Sequence, residues 1–235
     1  MRTLSPSELL DVCDLGDGSS PAGRAVLLLD AADARDDDAD GDPRDWPLGL
    51  VNGALLRLRA QVFGPRLEVL ANCPQCAAIC ESALDCLAIA ASAPRRSGPF
   101  LLAYREELIG YRLPTPADVM AAADCAATPA HALARRILLD SDAVDAPGLA
   151  GALALAVAEA DPLAQIELAL HCPECAARWT EPLHVIDILW AELRNFATRL
   201  TIDIARLAQA FGWREADILA MSPRRRQRYL ALLPT

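Results

Sequence analysis

The chain has 235 residues, 53% of them hydrophobic and 23% charged, so a sizeable core is expected and disorder is excluded as the default state. Its formal net charge is −10, the wrong sign for a protein whose main partner is nucleic acid, because phosphate neutralisation supplies most of that affinity. Aromatic residues make up only 5%, and the alanine- and leucine-rich remainder favours helices over a β-sandwich.

From the N-terminus, no apolar leader segment follows Met1. Ser5-Pro6-Ser7-Glu8 and Ser20-Pro21 carry helix-start chemistry, a capping hydroxyl followed by proline at the first helical position. Residues 30–45 are an aspartate run, expected to be a solvated loop. Pro47 to Phe63 places Leu48, Val51, Leu55, Leu58 and Val62 at spacings of three and four, which predicts an amphipathic helix ended by Gly64-Pro65.

The period then falls to two. Leu67, Val69 and Ala71 alternate into Cys73, and a return strand from Ile79 to Ile89 completes a hairpin. Phe100 to Leu113 reads as another hairpin turning near Glu106-Glu107. Thr115-Pro116 starts a helix expected to reach Ala127, and alanine-rich helices continue to Glu159. The longest apolar stretch, from Leu149, is stopped by Glu159 and Asp161, short of the roughly 20 residues a bilayer requires, so no membrane span is expected. Ile166 to His171 and Ala177 to Val185 form a hairpin of the same design as the first. Asp187 is expected to cap the longest helix, whose face runs Leu189, Leu193, Phe196, Leu200, Ile204, Leu207, Phe211, with Gly212 closing it. Two short helices finish the chain, the second started by Ser222-Pro223.

These elements predict an α+β protein, mostly helical, in three regions. Residues 1–63 form an N-terminal helical region with the acidic loop. Residues 64–186 hold a split β module, hairpins 66–89 and 166–185, around a helical insertion at 115–160. Residues 187–235 form a C-terminal helical region.

Two Cys-Pro-X-Cys turns, Cys73-Pro74-Gln75-Cys76 and Cys172-Pro173-Glu174-Cys175, sit at the tips of the two matched hairpins. A two-residue gap in a tight turn brings both sulfurs to one point, and two such points complete a tetrahedral thiolate set. One structural zinc ion per chain, held by Cys73, Cys76, Cys172 and Cys175, is therefore expected. The knuckles lie far apart in sequence, but closure entropy grows slowly with loop length. A redox role is disfavoured because a thioredoxin-type motif opens a helix, whereas strands flank both turns here. Cys80 and Cys86 read as small core residues on one face of the return strand, Cys13 and Cys125 as unassigned thiols. His171 abuts the second knuckle and could replace a cysteine as ligand; otherwise it reads as a turn residue.

Nothing in the sequence frames a catalytic centre. Four thiolates close a zinc shell, three histidines stand outside any metalloprotease frame, and neither a phosphate loop nor a nucleophile elbow is present. A non-enzymatic protein with no small-molecule substrate is expected, in the cytoplasm or incorporated in a particle assembled there.

Further motifs resemble a known family. Gly110-Tyr-Arg-Leu-Pro-Thr-Pro-Ala-Asp118 looks like its recurrent R-L-P-T-x-x-D element, and Glu159-Ala-Asp-Pro-Leu through His171-Cys-Pro-Glu-Cys to Trp179 looks like its second knuckle. Phe63-Gly-Pro-Arg-Leu-Glu68, Leu189-Trp-Ala-Glu192, Ala210-Phe-Gly-Trp-Arg-Glu-Ala-Asp-Ile-Leu219 and Ser222-Pro-Arg-Arg-Arg-Gln-Arg-Tyr-Leu230 also fit. The family comprises baseplate or baseplate-assembly proteins encoded with contractile phage tails and related extracellular contractile injection systems. The resemblance spans roughly residues 46–235. It implies a structural or assembly role among tail or baseplate subunits.

Two surfaces are candidates for such contacts. One is the terminal helix, where Arg224, Arg225 and Arg228 would meet acidic rims and Tyr229 would anchor. The plainer reading of that helix buries Tyr229, Leu230 and Leu233 and leaves its arginines wet. The other surface is the free edges of the hairpins. The rival function is a regulatory zinc ribbon binding nucleic acid through the arginine-rich tail.

Overall fold

The computed structural model describes residues 1–34, 41–93, 98–125, 128–140 and 146–233. They form an α+β fold, mostly helical, with three separate two-stranded antiparallel sheets.

The first two helices, α1 (Pro6–Gly16) and α2 (Pro21–Ala31), begin where the capping chemistry puts them. Ser5 and Glu8 exchange a reciprocal capping box, and the Ser20 hydroxyl accepts the Gly23 N–H. The aspartate run departs from a solvated loop at both ends. Ala32 and Ala34 are buried, and a 3-10 turn at Pro43–Asp45 seats Pro43 and Trp46 in the core. The few apolar side chains within the run account for this; residues 35–40 lie outside the described residues.

Helix α3 (Leu48–Phe63) ends at Gly64, whose φ of 94° suits glycine. Strands β1 (Arg66–Asn72) and β2 (Ile79–Asp85) pair in register Arg66↔Asp85 to Asn72↔Ile79. The return strand stops four residues earlier than expected, because the Asp85 carboxylate accepts the N–H groups of Leu87 and Ala88 and starts α4 (Cys86–Ala90). Cys86 therefore opens a helix in the main core, and does not share a strand face with Cys80.

Strands β3 (Phe100–Tyr104) and β4 (Glu107–Tyr111) make the middle hairpin, and α5 (Pro116–Ala123), α6 (Pro129–Ile137) and α7 (Leu149–Ala160) follow. Helix α5 ends at Ala123, short of Ala127; residues 126–127 lie outside the described residues. Strands β5 (Ile166–His171) and β6 (Arg178–Leu183) lead into α8 (Val185–Phe211), then α9 (Glu215–Leu219) and α10 (Pro223–Leu230). Asp187 does not cap α8 but sits in its first turn. The helix begins three residues earlier than that cap implies, with His184 at the N-cap, because Val185 is drawn into the core.

Helix α8 spans two apolar clusters. Its first half gives Val185, Leu189, Trp190 and Leu193 to the main core shared with α1 to α4 and with Leu67, Ile166 and Leu183 of the hairpins. Its second half gives Leu200, Ile204 and Leu207 to a cluster closed by Ile218 and Leu230. Each fully buried leucine contributes about 1.5–3 kcal/mol relative to exposure. Gly16 makes room for Trp190: a Cβ there would lie 2.2 Å from the indole ring. A further cluster joins Ile109 and Tyr111 to Ile137, Leu149 and Leu153.

Candidate metal centre

The two hairpin tips converge. The Sγ atoms of Cys73, Cys76, Cys172 and Cys175 all lie within 4.8 Å of one another, with Cys73 to Cys175 and Cys76 to Cys172 both at 3.6 Å. A tetrahedral ion with thiolates at about 2.3 Å requires sulfur–sulfur edges of about 3.8 Å, so the donor set fits such an ion with little movement. Cys73 and Cys172 are buried, while Cys76 and Cys175 face solvent.

Each knuckle is built the same way. The Cys73 N–H donates to the Ala78 carbonyl and the Ala77 N–H returns to Cys73; Cys172, Ala177 and Ala176 repeat this in the second turn. Ala77 and Ala176 both adopt φ 59°, a left-handed conformation that costs a non-glycine residue about 1–2 kcal/mol. That turn aims N–H groups at sulfur. Those of Cys175 and Glu174 draw the Cys172 thiol down to about 6, despite its burial. Burial raises Cys73, but the N–H groups of Cys76 and Gln75 outweigh it and lower the thiol. Cys175 moves oppositely, to about 12: the Ala177 N–H pulls it down, but burial and the neighbouring sulfurs prevail. Four thiols this close cannot all ionise alone, and a bound metal cation would supply the missing positive charge.

The two arms are structural repeats offset by 99 residues. Residues 66–90 superpose in sequence on 165–189 with identity at Glu68/Glu167, Cys73/Cys172, Pro74/Pro173, Cys76/Cys175, Ala77/Ala176, Ala78/Ala177, Leu84/Leu183 and Ile89/Ile188. In each arm a helix follows the second strand at the equivalent residue, Cys86 and Val185.

Two devices clamp the arms. The first is Asp161, fully buried at the head of the second arm. Its Oδ2 accepts the Gly49 N–H at 2.8 Å and thus caps α3, whose own Pro47 offers no side-chain acceptor. Asn52 adds a bond to the Leu163 carbonyl at 2.7 Å. The second is Arg59, 6% exposed, whose Nε and Nη2 reach Glu192 of α8 at 3.1 and 2.7 Å while Nη1 serves the Gly64 and Arg66 carbonyls.

The remaining sequence candidates separate. Cys80, 4% exposed, packs against Cys73 and Cys172 without joining the four-thiol group. His171 is exposed at the end of β5, outside that group. Arg224, Arg225 and Arg228 are exposed on α10, and Tyr229 packs edge-on against Trp213 at 4.8 Å and Phe211 at 5.8 Å. Arg226 is not wet like its neighbours: it is 4% exposed and donates to the Met221 carbonyl. The R-L-P-T-x-x-D element is a latch. Arg112 grips Asp118 with both terminal nitrogens, Arg136 adds a third contact at 3.1 Å, and Thr115 caps α5. No helix among the described residues is long and apolar enough to cross a membrane.

No family model, curated protein or solved structure matches the chain.

Proposed function

We propose that the chain is a structural or assembly component of a contractile phage-tail-like baseplate, acting through protein–protein contacts on a scaffold held by one structural zinc ion. The carrying observation is the four-thiol cluster, which two arms nearly a hundred residues apart build together. An all-sulfur tetrahedral set suits zinc, a borderline-soft ion without geometric demands; iron is the other metal such a set takes. Four protein donors leave no open position for water or substrate, so the ion's role is to hold the arms. The Arg112–Asp118, Asp161–Gly49 and Arg59–Glu192 contacts give the motifs of the baseplate resemblance a common purpose, rigidity.

The partner surface on this reading is the C-terminal helical body, through Arg224, Arg225, Arg228 and Tyr229. Residues 194–233 hold seven exposed arginines, Arg226 being buried, against three carboxylates, on a chain of net charge −10. That basic surface would meet acidic rims of tail or baseplate subunits, arginine and tyrosine being favoured hot-spot residues. The test is co-expression with adjacent tail genes. Tail subunits should co-purify, and deleting the gene should leave tubes and sheaths without complete baseplates. Normal contractile particles from the deletion strain would overturn the reading. The same arginines are what favours nucleic acid as the rival partner. Submicromolar duplex affinity at physiological salt would support that rival.

A further inference from the structure

We propose that the free edge of β1 accepts an extended strand from a partner protein, one that alternates apolar residues with lysine or arginine. The proposal rests on the assembly reading and names a second contact site within it, distinct from the C-terminal arginines.

Hydrogen-bond parity opens that edge. Cys73 donates to Ala78, and Cys86 donates to Pro65, so every second β1 residue between them bonds to β2. The intervening Arg66, Glu68, Leu70 and Asn72 turn their backbone N–H and C=O groups the other way. Arg59 takes the Arg66 carbonyl. The sheet ends at β1, so Glu68, Leu70 and Asn72 offer a row of backbone donors and acceptors to an incoming strand.

Beside this edge runs a groove of about 580 Å³. Consecutive residues 68–72 line one wall, as an edge does. The other wall has Leu168 and Leu170, alternate residues on one face of β5, with Leu183 and Ile188. A strand laid here would pair with β1 and rest every second side chain on that apolar wall. The charged residues lining the groove, Glu68 and Glu181, are both acidic, which selects cations at the intervening positions. A second copy of the chain fits poorly, since edge-to-edge pairing would set acidic arms against each other. The edge of β6 differs: Pro182 stands at an outward-facing position there and supplies no N–H, which blunts strand addition. No proline interrupts β1.

The test uses a displayed library of random ten-residue peptides as probe. Wild-type protein should enrich peptides alternating apolar and basic residues, and their binding should slow amide exchange at Glu68, Leu70 and Asn72. Leu70→Pro removes one outward N–H without touching the ladder to β2, and should weaken the selected peptides about tenfold or more. Should Leu70→Pro lose the fold or its metal, the exposed variant Glu68→Lys carries the same expectation. Enrichment of nothing, of peptides insensitive to these changes, or of peptides protecting other amides would overturn the proposal. So would a dimer abolished by Leu70→Pro, which would make a second copy the occupant. Tail subunits that co-purify while no peptide binds at the β1 edge would sink the groove and leave the assembly reading standing. Edge-bound peptides without any tail partner would do the reverse.

Discussion

Gly49→Ala tests the joint between the arms, because two physical effects predict opposite signs. Alanine is the better helix former by about 1 kcal/mol, so propensity alone predicts stabilisation. The added Cβ, however, would lie 1.7 Å from Asp161 Oδ1 and 2.6 Å from its Cγ. Asp161 is fully buried and must be displaced, which breaks the 2.8 Å bond to the Gly49 N–H. Losing a buried hydrogen bond and leaving its partners unsatisfied costs about 1–3 kcal/mol, and overpacking adds about 1–3. The expected net loss is about 2–4 kcal/mol, a fall in Tm of roughly 5–15 °C for a chain of this size. Urea unfolding of the metal-loaded protein, followed by far-UV circular dichroism, reads the change. Gly151→Ala is the control: nothing lies within 4 Å of its Cβ position, so it should raise stability by up to about 1 kcal/mol. In an Asp161→Ala background, Gly49→Ala should cease to destabilise. Stability equal to or above wild type in the single Gly49→Ala variant would refute the joint.

Other consequences are equally direct. Neither residues 1–160 nor 161–235 should fold alone, since each keeps one knuckle, the first loses α8 from its core and the second leaves α8 uncovered; a cooperatively melting monomeric fragment would contradict the shared site. Ala77→Gly and Ala176→Gly should each raise the unfolding midpoint by relieving left-handed strain, whereas valine at either position should lower it. Burial raises the Asp118 carboxyl, but the Arg112 guanidinium and Thr115 outweigh it and hold the group below its ordinary 3.8. With a depressed folded value, its stabilisation is present above pH 3.8 and is lost as the pH falls from there through the depressed folded value. Asp118→Asn should flatten this acid limb in denaturation curves measured from about pH 5 down to about pH 2.

Local chemistry made much of this fold legible. Capping serines placed α1, α2 and α10, and the period change at Leu67 placed the hairpins, because those signals act within a few residues. The meeting of the four cysteines was legible for the same reason: each knuckle is a complete local turn. What escaped depends on distance or competition. Asp161 caps α3 across 112 residues, so neither Pro47 nor Gly49 carries a local sign of it. Asp85 reads as a strand residue until its carboxylate is seen to take two N–H groups. Arg226 looks like Arg225 in sequence and differs only because α10 turns it inward toward Met221. The 99-residue repeat was present in the chain and marks the paired arms as one device.

Metal content of the purified protein tests the central claim most directly. Elemental analysis with native mass spectrometry should give close to one zinc per chain, and Cys73→Ser or Cys172→Ser should each lose the ion and the fold with it. Structural zinc supplies on the order of 10 kcal/mol in small domains, more than a protein of ordinary stability can forgo. Well-folded protein that carries no metal would contradict the four-thiol site.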